Sequence, residues 1–516
     1  MSSTPLDVAE PAAASHDRPP RHLGIALTLI SAAQLMIVLD GTVVNIALPH
    51  LMAELGFTPD NLSWVVTIYT LAFGGLLLLG GRLGDLFGRR RMFTLGVALF
   101  AVASLAGGLA QDDLTMLGAR ALQGLAGALA APNALALITT TFPAGKERNR
   151  AMGVYAAMSG AGAAIGLILG GALTEIDWRW TFLINIPIGL FVALMAPRFL
   201  TESEGGEGGL DIPGAVTSVL GLGSLVYGLT HAASHSWSDR TTVGFLVAGV
   251  VLLVAFVLIE RRTTHPLMPV RILADRTRGV SFLVMLIVGA AMFAMFYFLG
   301  LYIQQVLGYS ALKTGFAFLP FSIGIVAGAQ VGSQLMSRVD PRWIAGVGTA
   351  LAAIGMFGFS LLEVDSTYWL HLFPWVVVLA AGMGLTFVPM TLTAVHGVDH
   401  DDSSVASAVL NTMQQVGGAL GLATLSTVFV NALQDRAAEL GAAAQAAAAQ
   451  GGTTPSAEQI AAATKEIALQ AQTHGSSVAY LVAGGMIAVA SVLVMTLLTV
   501  KHEELAHDGA EPVHMG

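Results

Sequence analysis

Gly81-Arg82-Leu83-Gly84-Asp85-Leu86-Phe87-Gly88-Arg89-Arg90-Arg91 separates two apolar runs, near residues 62–81 and 92–110. Each run is close to the 20 residues that cross a hydrocarbon core of about 30 Å as helix. The glycines permit a tight turn and close helix approach. Asp85 sits at a helix end, and the arginines hold the turn at one headgroup face. Outward from this turn the same alternation repeats along nearly the whole chain. Apolar runs fall near 23–48, 62–81, 92–110, 114–139, 152–174, 180–200 and 212–231. They continue near 242–259, 279–304, 314–336, 343–362, 369–395, 404–430 and 479–500.

These 14 runs account for the composition. Of 516 residues, 55% are hydrophobic and 11% charged, against roughly 25% charged in a water-soluble protein. A soluble globular enzyme is excluded, and a net charge of −9 excludes a basic nucleic-acid binder. Strand-like alternation in segments of about 10 residues, the mark of an outer-membrane barrel, is missing. Cysteine is absent, which excludes disulfides and thiolate chemistry. The sequence therefore predicts an all-α polytopic membrane protein. Few Lys beside many Arg, with abundant Ala and Gly, fits a GC-rich bacterial genome.

An even number of spans puts both termini on one side. Eighteen of the 24 Lys and Arg residues fall on the face of the 81–91 turn, five fall on the other, and Arg120 is intramembrane. By the positive-inside bias, both termini are cytoplasmic in a multi-pass protein of the bacterial cell membrane. Spans 1 to 5 and spans 9 to 13 start at a constant offset of about 250 residues, a parallel repeat typical of transporters. The expected organisation is a disordered tail at 1–22 and an N-terminal six-helix bundle at 23–200. A linker carrying spans 7 and 8 follows at 201–277, beginning with a flexible acidic stretch at 202–209. The C-terminal six-helix bundle covers 278–500, with an extracytoplasmic loop at 431–478, and a solvated tail closes the chain at 501–516. The loop contains an Ala-rich run and reads as a loosely packed helical hairpin or a disordered segment.

The turn at 81–91 resembles the signature loop of the major facilitator superfamily, G-x-L-x-D-x-x-G-R-[RK], at every defined position. Further stretches are similar to the 14-spanning drug:proton antiporter family within it. They are Leu39-Asp40-Gly41-Thr42 with Asn45 and Pro49, Arg120 with Gln123-Gly124, and Trp178-Arg179-Trp180-Thr181-Phe182 with Asn185 and Pro187. Asp211-Ile212-Pro213-Gly214, Pro266-Leu267-Met268-Pro269 and Gln415 with Gly417-Gly418 also fit. The resemblance implies two six-helix bundles in pseudo-twofold arrangement with two inserted helices, exporting drugs against protons. The family's antiporter signature in span 5 is matched by Gly162, Gly166, Gly170 and Gly171, but Leu167 stands where the family has proline. The glycines still permit close helix packing, while the kink expected of proline is lost.

Asp40 and Arg120 are the ionisable residues placed deep in spans, and retained charge in mid-membrane is a functional candidate by default. At about 1.5 Å per residue they lie about 12 and 9 Å below the outer ends of spans 1 and 4. The resemblance puts both spans on a central cavity. Asp40 is thus expected to take up and release a coupled proton, tuned by Arg120, with a static ion pair as the alternative. For the turn, comprising Gly81, Asp85, Gly88, Arg89 and Arg90, the resemblance implies a gating latch against the helix that follows Asp402 and Ser403. Asp399, Asp401 and Asp402 are the competing partners for its arginines.

Candidates for contacting substrate are the polar residues in or near spans: Gln34, Asn45, Tyr69, Asn133, Gln304, Asn411 and Gln415. Met292 and Phe296 join them from a stripe that also holds Met295, Leu299 and Ile303. No cofactor is expected. Lys313-Thr314 lacks the glycine of a nucleotide loop, and His502 and His507 are five apart rather than the four of a zinc helix. The expected partners are a hydrophobic small molecule, protons and the bilayer, with no nucleic acid and no named envelope protein. The reading is proton-coupled efflux of antibiotics, drugs or dyes by alternating access. Proton-coupled import of a metabolite, or a sensor without transport, are the alternatives.

Overall fold

A bilayer offers no partner for backbone N–H and C=O groups, so each apolar run must close its own hydrogen bonds as helix. The computed structural model describes residues 22–143, 145–203, 205, 209–398, 403–450 and 456–507. Among these residues there is no strand, and the apolar runs form fourteen long helices. They are α1 (Leu23–Leu55), α2 (Trp64–Phe87), α3 (Arg89–Gly108), α4 (Asp113–Thr141) and α5 (Lys146–Ile176). Next come α6 (Trp180–Phe199, broken at Ile184), α7 (Ile212–Ser234), α8 (Arg240–Glu260), α9 (Arg276–Val306) and α10 (Ala311–Leu335). The series ends with α11 (Pro341–Phe359), α12 (Tyr368–Val395), α13 (Ser403–Gln450) and α14 (Ala457–Leu497). Thirteen are long and apolar enough to cross a membrane, and among the described residues α5 contributes the shorter apolar stretch Gly162–Ile176.

Helix pairing repeats with the sequence. In the first half α4 packs on α2 and α3, α1 on α5, and α3 on α6. In the second, α12 packs on α10 and α11, α9 on α13, and α11 on α14. Glycine makes several of these approaches possible. Pro132 of α4 has no N–H, which deprives the Ala128 carbonyl of its helical donor; Gly80 of α2 packs against that carbonyl with no room for a Cβ. The inserted pair α7–α8 is anchored through α7, which touches α2 and α13 together. Leu71, Leu222, Val226, Val416 and Ala423 form one buried cluster there, and Thr427 donates to the Leu229 carbonyl at 2.7 Å.

Two expectations at the periphery change, and one left open between two alternatives is decided. Residues 202–209 are not simply a flexible linker: Glu202 and Ser203 dock on the α2–α3 turn, because the first N–H groups of α3 need acceptors there. Residues 204 and 206–208 lie outside the described residues. The segment at 431–478 is a helical hairpin, since α13 and α14 run on as helix for 48 and 41 residues, about 72 and 62 Å; residues 451–455 lie outside the described residues. Finally, the segment at 501–516 begins docked rather than solvated. The His502 N–H and ring both reach Asp340 Oδ1, at 3.0 and 2.9 Å, and these bonds hold the Asp340 carboxyl below its ordinary range. Residues 508–516, like the tail at 1–21, lie outside the described residues.

Candidate functional site: a central cavity beside a buried ion pair

Between the two halves lies a cavity of about 1080 Å³. Its mouth, on the arginine-rich face, is edged by Arg82, Asp85 and Arg89 of α2 and α3, with His265 and Arg271 from the segment before α9. Its inner end reaches Gly41 and Asn45 of α1 and Met292 of α9. Tyr69 and Arg82 both line it and stand 13 residues apart on α2, so it runs about 20 Å into the protein.

The opposite face is sealed by contacts between the halves. Gly171 of α5 lies on the start of α10, where an added Cβ would come within 2.6 Å of the Ala311 carbonyl oxygen. Gly315 of α10 abuts the Leu167 carbonyl equally closely. The Leu312 N–H donates to Glu175 at 3.2 Å, and Gln304 Nε2 donates to the Ile46 carbonyl at 3.1 Å. The structure is therefore open on the arginine-rich face and closed on the other.

Behind the cavity wall, inside the first half, lies the ion pair. Arg120 Nη1 donates to Asp40 Oδ2 at 2.5 Å, and both residues are buried, at 0% and 2% exposure. Gln123 Nε2 and Asn185 Nδ2 both donate to Asp40 Oδ1, at 2.8 and 3.1 Å. Arg120 also donates to the Val65 carbonyl and to Gln123 Oε1, and Gln123 Nε2 reaches Ser104 as well. The guanidinium lies 4.1 Å from the centroid of the Tyr69 ring. Tyr69 is thus the partition, with the cavity on one side and the charge on the other. Buried charge needs partners for its polar atoms: amides from α4 and α6 converge on the carboxylate, while Arg120 Nη2 is buried without a partner.

The other expected residues divide by location. Gln34, Asn45, Tyr69, Met292, Phe296, Asn411 and Gln415 line the cavity. Gln34 accepts from Tyr155 at 2.8 Å, and Phe296 packs on Phe318 and Phe321. The rest of the span 9 stripe, Met295, Leu299 and Ile303, is core; Leu299 and Ile303 lie about one and two turns beyond Phe296, toward the sealed end where Gln304 meets Ile46. Asn133 borders the cavity but spends its amide hydrogens on the Gly80 and Leu129 carbonyls at 3.0 and 2.7 Å, with Gly84 packed on its oxygen. It is a brace between α2 and α4. Gln304 belongs to the sealed end, as above, rather than to the cavity.

At the turn, Gly88 has φ +100°, a conformation side chains resist. Asp85 binds Arg89 at 3.0 Å, one helical turn on, while the residues just before the helix that starts at Ser403, its expected counterpart, lie outside the described residues. Arg90 and Arg91 pair with Glu202 at 3.4 and 3.7 Å. Asp399, Asp401 and Asp402 lie outside the described residues. Gly162, Gly166 and Gly170 give α5 its bed against Val38, Leu39 and Val43 of α1, and α5 runs unbroken through Leu167. Gln123 and Asn185 belong to the stretches that carry the family resemblance but have no role assigned from sequence; the further signal is that both are amides within apolar runs. Gln414 and Tyr155 also reach the cavity without having been singled out.

Residues 30–422 match the Major Facilitator Superfamily. The chain belongs to this superfamily. The puromycin resistance protein pur8 of Streptomyces alboniger is 43% identical over 99% of this chain and 98% of its own length. The cephamycin export protein CmcT of Amycolatopsis lactamdurans is 40% identical over 81% of this chain and 87% of that one. In fold, the chain is similar to a bacterial homologue of the human lysosomal transporter Spinster in an inward-facing, unoccupied conformation. That match has a TM-score of 0.63 at 16% identity and covers 95% of this chain and 99% of the other. This major facilitator protein is a multi-pass membrane transporter, not an enzyme.

Proposed function

We propose that this transporter expels hydrophobic small molecules of the antibiotic and dye type in exchange for protons. It would sit in the bacterial cell membrane with both termini in the cytoplasm. The outward direction follows the relatives named for resistance and export. The cytoplasmic placement follows the arginine bias, which makes the open mouth the one that collects cargo.

The observation that carries the coupling is the contact chain Asp40–Arg120–Tyr69. While the cavity faces the arginine-rich side, the Asp40 carboxyl group accepts from three donors, an arrangement that serves the carboxylate. Protonation from the other side removes the charge that fixes Arg120. The guanidinium then loses its partner and shifts against Tyr69, a wall residue of the cargo site. Cargo and proton thereby act on one partition from opposite sides, which is the requirement for exchange. Deep in the cavity the polar groups are mainly amides and hydroxyls, whereas Asp85 stands at the mouth and is paired with Arg89. Such a site suits neutral or weakly basic apolar molecules and not multiply charged cations.

Asp40→Asn in reconstituted vesicles tests the coupling. The variant is expected to lose cargo-induced proton movement and pH-gradient-driven accumulation. Accumulation at the wild-type rate and under the same gradient would leave the proposal without support.

A further inference from the structure

Asp40 takes hydrogen bonds from two amides, and the two are not equivalent. Gln123 is committed at both ends: Oε1 accepts from Arg120, while Nε2 donates to Asp40 and to Ser104. Turning it over would set donor against donor at Arg120. Asn185 is committed at one end only. Its Nδ2 donates to Asp40 Oδ1 at 3.1 Å, and its Oδ1 is buried with no partner, in a residue with 0% exposure. A buried unmet carbonyl is costly, and here it belongs to a group that can exchange acceptor for donor by a half-turn about its last bond.

That half-turn matches what proton exchange asks of the site. A carboxylate only accepts, whereas a carboxylic acid has one O–H to donate. Nδ2 facing Asp40 serves the anion; Oδ1 facing Asp40 serves the acid. We infer that Asn185 is a positioning residue whose amide turns over as Asp40 gains and loses its proton, giving both forms a partner in a site closed to water. The inference rests on the proposed role of Asp40. The proton comes from water on one face, forms an O–H bond at Asp40 Oδ1, and returns to water on the other; no other bond forms or breaks. Two titratable groups face the carboxyl region: Arg120 from α4 and, across the guanidinium, Tyr69 from α2. The neighbours from α3 and α6 are the neutral Ser104 and Asn185. From α5, the glycines at 162, 166 and 170 are what meet α1. Asn185 directly follows the break at Ile184, so its orientation is tied to where the two pieces of α6 meet.

Infrared difference spectra of the full chain in vesicles, with asparagine carbonyls isotope-labelled, test this without any cargo. Between about pH 3 and about pH 9, a carboxyl band absent from Asp40→Asn is expected to titrate together with a labelled amide band. Asn185→Leu should abolish the amide band, shift the midpoint of the carboxyl band and move that band to the frequency of an unbonded acid. Asn185→Ser, whose hydroxyl both donates and accepts, should restore the midpoint. A labelled amide band that stays fixed while Asp40 titrates would overturn the inference on the wild-type chain alone. So would a midpoint in Asn185→Leu identical to wild type, or one in Asn185→Ser displaced as far as in Asn185→Leu. If no titrating band is removed by Asp40→Asn, the coupling role of Asp40 fails, a result distinct from failure of the amide.

Discussion

Asn133 shows how a polar residue in a span can be read two ways. Its amide hydrogens bridge to α2 at Gly80 and back to its own helix at Leu129. Asn133→Ala is therefore expected to lower stability by about 0.5–1.5 kcal/mol, the net worth of a lost hydrogen bond, since both carbonyls lie within helices and keep their helical donors. Cargo affinity should stay unchanged; unfolding in detergent and cargo binding, measured side by side, separate the two. Asp40 and Arg120 were legible as a pair because charge in hydrocarbon must find its complement, and depth along two helices could be counted. Asn133, Gln123 and Asn185 were visible but not assignable. An amide in a helix can be met by its own backbone, as Asn45 is at the Gly41 carbonyl, and only the packed structure tells which way it turns.

At the scale of the helix, α5 carries its meaning on two faces. Gly162, Gly166 and Gly170 press on α1 within the first half, whereas Gly171 presses on α10 across the divide. Gly171→Leu is expected to pry open the sealed end. In this cysteine-free chain, a single Asn45→Cys then reports it: labelling by a membrane-impermeant thiol reagent from that side should rise at least several-fold. Unchanged labelling would mean the seal does not depend on this contact. The spacing of these glycines was plain in the sequence and implied close packing. Which glycine served which neighbour was not, because a one-residue step from 170 to 171 turns a helix face by about 100°.

Across the whole molecule, the fourteen runs and their repeat were readable because the bilayer sets helix length and forbids other backbone solutions. The placement of α7 was not readable. It adheres through apolar and small residues to two helices distant in sequence, and nothing in its own pattern names them. That placement breaks the symmetry of the two halves. On one side α2, α7 and α13 are bound in a single strip; on the other, among the described residues, α5 and α10 meet with α1 beside them and neither inserted helix across them. Spin-label distances across α5 and α10 are expected to change more between conformations than those across α2 and α13, and the reverse order would refute it. The protein would then open like a book rather than a clamshell, with the inserted hairpin as its spine and the pages parting along a single edge.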